Sequence, residues 1–131
     1  MNTKTAAILL GIVFIAVGLL GFVSNPIIGD SETAIFHADA VHSTVHIISG
    51  ALFLVVALFA PGSTSIVLKV FGVVYFLLGV LGLINIGTEG MGTLLGFLHV
   101  NGADNILHIA LGVVIFLAGF VGPRTKPALS K

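Results

Sequence analysis

His46 and His108 occupy matching positions in two halves of the chain. Phe36–Gly50 (FHADAVHSTVHIISG) lies over Leu98–Gly112 (LHVNGADNILHIALG) without a gap. His37 falls on His99, Asp39 on Asn101, His42 on Asp104, His46 on His108 and Gly50 on Gly112. His42 precedes His46 by one helical turn, and Asp104 precedes His108 in the same way, so on a helix each pair shares a face. Three imidazoles and a carboxylate suit zinc, copper or iron. Alternatively, His46 and His108 are axial ligands of a b-type haem, with Gly50 and Gly112 one turn deeper leaving room for the porphyrin edge. The structural alternative gives these residues no ligand. Asp39 and Asn101 stand at helix N-cap positions, and Asp104, three residues on, resembles the acid of a capping box. His46 and His108 then act as clasps, hydrogen-bonded across helices or to Ser43, Thr44, Ser49 and Asn105.

The elements that position these groups are apolar helices. Hydrophobic residues make up 57% of the chain and charged residues 8%, and mean hydropathy is +1.23. A soluble domain of this length cannot bury so much apolar surface, which implies an integral membrane protein with the lipid bilayer as its first partner. Thr5–Val23 and Ile66–Ile84 are apolar runs of about 19 residues, enough to cross a hydrocarbon core of roughly 30 Å. Lys69 interrupts only the second, close enough to its end to snorkel. Ile47–Ala60 and Ile109–Val121 reach spanning length only with the histidine-bearing residues ahead of them. The runs are continuous rather than alternating, so helices are expected and not a barrel. The first run is too long for a signal-peptide core and lacks a small-x-small cleavage site.

The preceding helices repeat as well. Gly11–Phe22 lies over Gly72–Leu83 with Gly11, Gly18 and Gly21 on Gly72, Gly79 and Gly82, a stripe of small residues suited to close helix packing. Pro61 meets Pro123. The expected architecture is all-α: a single membrane domain over residues 1–131, a four-helix bundle built from a tandem repeat of two helices. Repeat one covers about residues 5–61 and repeat two about 66–123. Lone Tyr75, mid-helix, requires a hydrogen-bond partner there.

Charge sorts completely along the chain. Lys4, Lys69, Arg124, Lys126 and Lys131 flank the termini and the central connection, whereas Asp30, Glu32, Asp39, Glu89 and Asp104 lie in or beside the other two. The positive-inside rule puts both termini and the Pro61–Ser65 turn in the cytoplasm and all histidines toward the outer side. Counting about 20 residues outward from Ala60 and Val121 places His46 and His108 roughly 8–9 Å below the outer boundary. An ionisable group at that depth also admits a proton or quinone site. His37 and His99 read as solvated loop groups. The outer connections, about Ser24–Ala38 and Asn85–Val100, are expected on the membrane surface or over the helix ends.

Cysteine is absent, which removes thiolate metal sites, iron–sulfur clusters and covalent haem attachment. No nucleotide-binding loop, nucleophile elbow or basic nucleic-acid patch is present. An enzyme is not expected, since no nucleophile–base pair can be named. Four short helices leave little room for the gated path of a monomeric transporter.

The glycine-spaced first and third helices, with VHSTVHIISG and NGADNILHIALG, resemble a family of small bacterial four-helix membrane proteins of unknown function. The resemblance covers about Ile8 to Val121 and is most specific at Asn101-Gly-Ala-Asp104-Asn105-x-x-His108 with Gly112. In the first copy that family reads closer to Asn-x-x-His-Asn-x-x-His. Here Asp39 and Ser43 replace the asparagines while His42 and His46 match. The resemblance implies the fold, the choice of residues and a bacterial cytoplasmic membrane location, and it carries over no established activity. A larger membrane complex or homo-oligomer, in which the histidines only lock the helices, is the rival to metal or haem binding.

Overall fold

Short polar side chains mark where the helices begin. Asn2 accepts a hydrogen bond from the Thr5 amide at the start of α1 (Thr3–Leu20), and Asp39 accepts from the His42 amide at the start of α2 (Ala40–Phe59). Asn101 and Asp104 form a reciprocal capping box at the start of α4 (Gly102–Ala118). These bonds satisfy amide donors that the first turn of a helix leaves unpaired. The computed structural model describes residues 1–122. Pro123 and the C-terminal charges Arg124, Lys126 and Lys131, used in the repeat and topology arguments, lie outside the described residues.

A 3-10 turn, Pro61–Ser63, joins α2 to α3 (Thr64–Asn85). The chain is therefore mostly helical. Three of the helices, α1, α2 and α3 with its leading turn, are long and apolar enough to cross a membrane. The fourth, α4, is apolar but has 17 residues, about 26 Å of rise.

The expectation of a purely helical chain is corrected in the connections. Ile28–Gly29 (β1) pairs in parallel with Phe36–His37 (β2). Met91–Leu94 (β3) and Leu98–Asn101 (β4) form an antiparallel hairpin. At its tip both Leu95 (φ 55) and Gly96 (φ 80) adopt positive φ, the twist that tight hairpin turns require. Apolar side chains explain the hairpin: Leu94, Leu98 and Val100 are buried against Val45, Leu78 and Ile86. The hairpin thus lies over the ends of α2 and α3 and carries His99 with it.

Packing follows the glycines. The closest pairs are α1 with α2 and α3 with α4, with fewer contacts between pairs. The short central turn makes α2 and α3 neighbours, yet the tighter contacts are those with the glycine-striped helices. A methyl group on Gly11 would lie 2.8 Å from the Gly50 carbonyl oxygen, and one on Gly50 would lie 2.6 Å from the Gly11 oxygen. In the second pair, a methyl on Gly112 would lie 2.7 Å from the Gly72 oxygen. Gly18 faces the Ser43 carbonyl and Gly79 the Asn105 carbonyl, each at 2.7 Å. Gly21 and Gly82 meet the side chains of those same two residues. Only hydrogen fits at these contacts, so backbone meets backbone at Gly11, Gly18, Gly50, Gly79 and Gly112 and a polar side chain seats on the helix at Gly21 and Gly82.

The core between the pairs is built from Phe14, Phe53, Leu68, Tyr75 and Ile115. Outward faces are apolar: Ile12, Ile48, Val55, Val70, Leu77 and Val114 are all exposed. The buried polar set is His37, His42, Ser43, His46, Ser49, Thr64, Asp104, Asn105 and His108. Apolar outside and polar inside is the reverse of a water-soluble helical protein.

Candidate functional site

Because Asp39 caps α2, His42 falls at the third helical position and His46 one turn deeper on the same face. Asn101 sets the same phase on α4 for Asp104 and His108. The structure brings His42, His46 and His108 together, all buried, with one ligating atom from each within 4.8 Å of the others. Ring centroids stand 5.1 Å apart for His42–His46, 5.4 Å for His42–His108 and 6.0 Å for His46–His108.

Hydrogen bonding fixes one of the rings. His42 Nδ1 lies 2.7 Å from the His99 carbonyl oxygen. A carbonyl only accepts, so Nδ1 carries the proton and Nε2 presents its lone pair inward. That Nε2 is 3.2 Å from His46 Nε2. Nδ1 of His46 and Nδ1 of His108 have no hydrogen-bond partner among the described residues. Phe14 stacks on His46 at 5.3 Å, and Tyr75 presents its ring edge-on to His46 and His108 at 6.0 and 5.7 Å. Tyr75 finds its own partner in Ser49, at 3.0 Å between the two hydroxyls. The cluster borders two cavities, one of about 20 Å³ on the Asp104 side and one of about 100 Å³ shared with Ser49 and Tyr75, room for an ion with water or a small ligand.

Asp104 is put to other use. Its Oδ2 accepts from the His37 and Asn101 amides, each at 2.9 Å. The carboxylate caps α4 and ties the α1–α2 connection to it, and the three-imidazole grouping does not include it. The polar residues expected as clasp partners also point elsewhere. Thr44 donates to the Ala40 carbonyl, and the Asn105 amide group donates to the Gly87 carbonyl at 3.1 Å. Ser43 Oγ has no partner among the described residues. Gly50 and Gly112, expected to leave room for a porphyrin edge, are filled by the backbones of α1 and α3. Helix packing closes both glycine positions, so the porphyrin edge has no room at Gly50 or Gly112.

A second grouping was missed by sequence reasoning. His37 and His99 stack nearly parallel, with centroids 5.6 Å apart and an interplanar angle of 11°. Asp30 Oδ1 stands 3.6 Å from His37 Nε2 and 3.7 Å from His99 Nδ1. His37 is buried rather than solvated. The signal for the pair was present in the sequence, since His37 aligns with His99 in the ungapped match. Asp30 has no counterpart in the second half, and nothing in the sequence announced it.

No curated protein and no solved structure matches the chain. A protein-family model does match, over residues 4–121. That span contains all four helices and both histidine groupings. The chain belongs to the family described as domain of unknown function DUF4383.

Proposed function

We propose that this chain is a metal-binding membrane protein in which His42, His46 and His108 hold one transition-metal ion near the outer ends of the helices. The observation that carries this reading is the convergence of three buried imidazoles whose side chains make no hydrogen bond to Ser43, Thr44, Ser49 or Asn105. An ion bound tetrahedrally at about 2.0 Å from each nitrogen separates its ligands by roughly 3.3 Å, and His42 Nε2 to His46 Nε2 is 3.2 Å. The His99 carbonyl supports His42 from behind, as second partners of metal-bound histidines do. Nitrogen ligands without thiolate or carboxylate favour zinc or copper, and the adjoining cavities leave the fourth position for a water or small ligand. Handling of such an ion at the outer face is the role this site suits best.

The membrane setting is part of the same proposal. Four spans in a single duplicated domain, both termini cytoplasmic and the histidines outside, follow from the apolar outer faces and the sorted charge. The repeated contacts Gly11–Gly50 and Gly72–Gly112 support the duplication. A reporter fused after Lys131 should be cytoplasmic, and a tag between Gly29 and Thr33 should be accessible from outside. Both on one side would refute the span count.

The rival reading makes the chain a subunit or assembly partner with structural histidines. The 3.2 Å His42–His46 contact favours it, because that distance also suits a hydrogen bond. Elemental analysis and visible absorption of the purified protein separate the two. Stoichiometric zinc or copper without a Soret band supports the ion. No metal, even after reconstitution, hands the reading to the structural role, and a Soret band selects haem instead of a bare ion.

A further inference from the structure

We propose a second metal site, on the outer loops, formed by Asp30, His37 and His99. Their ligating atoms lie within 4.8 Å of one another. Asp30 Oδ1 is 3.6 Å from one imidazole nitrogen and 3.7 Å from the other. Those distances are too long for hydrogen bonds to nitrogen, so the carboxylate does not serve as an ordinary acceptor for either ring. They are close to the roughly 3.3 Å that separates two ligands of a tetrahedral ion. Closing on a common centre draws the carboxylate in by a few tenths of an ångström and brings the two imidazole nitrogens, within 4.8 Å of each other, to the same spacing.

The three side chains divide the work. His37 is the fixed member, its side chain 7% exposed, and its backbone amide is held by Asp104. Asp30 and His99 are the open members, with side chains 68% and 43% exposed, which leaves them room to close on an ion. Asn25 fastens the approach to β1 by donating to the Leu20 and Ile28 carbonyls and accepting from the Ile27 and Ile28 amides. On the open side lies a cleft of about 260 Å³ lined by His37, Met91, Gly92, Thr93 and His99. Two imidazoles and one carboxylate with an open position suit zinc or copper(II) and disfavour calcium or magnesium, which prefer all-oxygen shells.

The ion would join the first outer loop to β4 of the second. His99 gives its ring to this site and its carbonyl to His42. The outer ion therefore clamps the two loops that cover the buried imidazoles, yet it does not require a metal among them.

The test is Zn²⁺ titration by calorimetry of the full chain in nanodiscs after chelator treatment. Asp30→Asn and His99→Gln leave every backbone bond in place. Each should weaken one Zn²⁺ equivalent at least tenfold, and the double variant should lose nothing further at that equivalent. His46→Ala should retain it. Wild-type titration by both outer variants would overturn the outer site. Loss of an equivalent in His46→Ala alone would locate binding solely at the buried histidines. If the outer variants do not fold, hydrogen exchange of the wild type decides. Zn²⁺ should slow exchange in both 28–37 and 91–101, and no change in either overturns the proposal.

Discussion

His42 and Asp104 occupy equivalent positions in the two halves, and the structure uses them in opposite ways. Each reaches across to the backbone of the other half's outer histidine. His42 Nδ1 donates to the His99 carbonyl, and Asp104 Oδ2 accepts from the His37 amide. The residue type at each position matches the backbone group it meets, a donor facing a carbonyl and an acceptor facing an amide. That reciprocity ties the halves together at two points. It also breaks their symmetry, because the histidine keeps a second nitrogen for the buried cluster while the carboxylate spends its Oδ2 on two amides. Two like halves thus produce one three-imidazole grouping and not a fourfold site.

The largest effect should come from erasing this difference in the wrong direction. His42→Asp would set an acceptor against the His99 carbonyl, bury a charge without a partner and remove one imidazole. Loss of a buried charge's partner costs about 3–5 kcal/mol, so thermal unfolding in detergent should shift sharply and buried-site metal should vanish. A stable variant with wild-type metal content would show that His42 neither anchors β4 nor binds an ion.

Asp104→Asn probes the other side with a smaller effect. An amide oxygen can still accept from His37 and Asn101, but charge-assisted bonds are about twice as strong as neutral ones. A loss of about 1–2 kcal/mol is expected, with metal content unchanged. Asp104→Ala strands two amides and should cost more, about 2–4 kcal/mol. Metal lost in Asp104→Asn while the fold persists would return Asp104 to the ligand set.

Helix positions and the histidine cluster were legible in sequence for different reasons. Continuous apolar runs and well-placed Asp39 and Asn101 set the helix starts, and one-turn spacing then forced His42 beside His46. The expected first helix ran to Val23, but the chain turns at Gly21, where the Ser43 side chain closes against it. Hydrophobicity alone cannot register such a contact. The roles of Asp104, Gly50 and Gly112 were ambiguous because a carboxylate serves a cap or a metal equally well, and a glycine admits a helix or a cofactor. The outer grouping depended on loop folding. Asp30 meets the two histidines only through the β1–β2 pairing and the β3–β4 hairpin, and the hairpin's driving force, the burial of Leu94, Leu98 and Val100, is a tertiary contact that so short an apolar run does not announce.

The glycine contacts offer a more even comparison. Gly11→Ala and Gly72→Ala each insert a methyl where backbone or Cβ atoms of the facing helix stand within 2.8 Å. Overpacking of this kind costs about 1–3 kcal/mol. If the halves pack equivalently, the two single variants should lose similar stability in chemical or thermal unfolding. The double variant should show the sum, because the sites belong to different helix pairs. A large inequality would mean that one pair carries most of the fold.

The smallest expected effect restores symmetry at one aromatic position. Tyr75 aligns with Phe14, and the two rings meet edge to face at 5.3 Å. Both flank His46, Phe14 by stacking and Tyr75 by its edge. Tyr75→Phe would keep those ring contacts and remove only the bond to Ser49, which spans 3.0 Å. The cost should be about 1 kcal/mol, the net value of one intramolecular hydrogen bond plus the exposure of Ser49 Oγ to an apolar neighbour. Because the phenol oxygen is engaged with Ser49 and not with an imidazole, metal content and affinity at the buried histidines should not change. Reduced affinity in Tyr75→Phe, at undiminished stability, would instead make the phenol part of the site. The asymmetry between the halves would then extend from the capping position to the floor beneath the imidazoles.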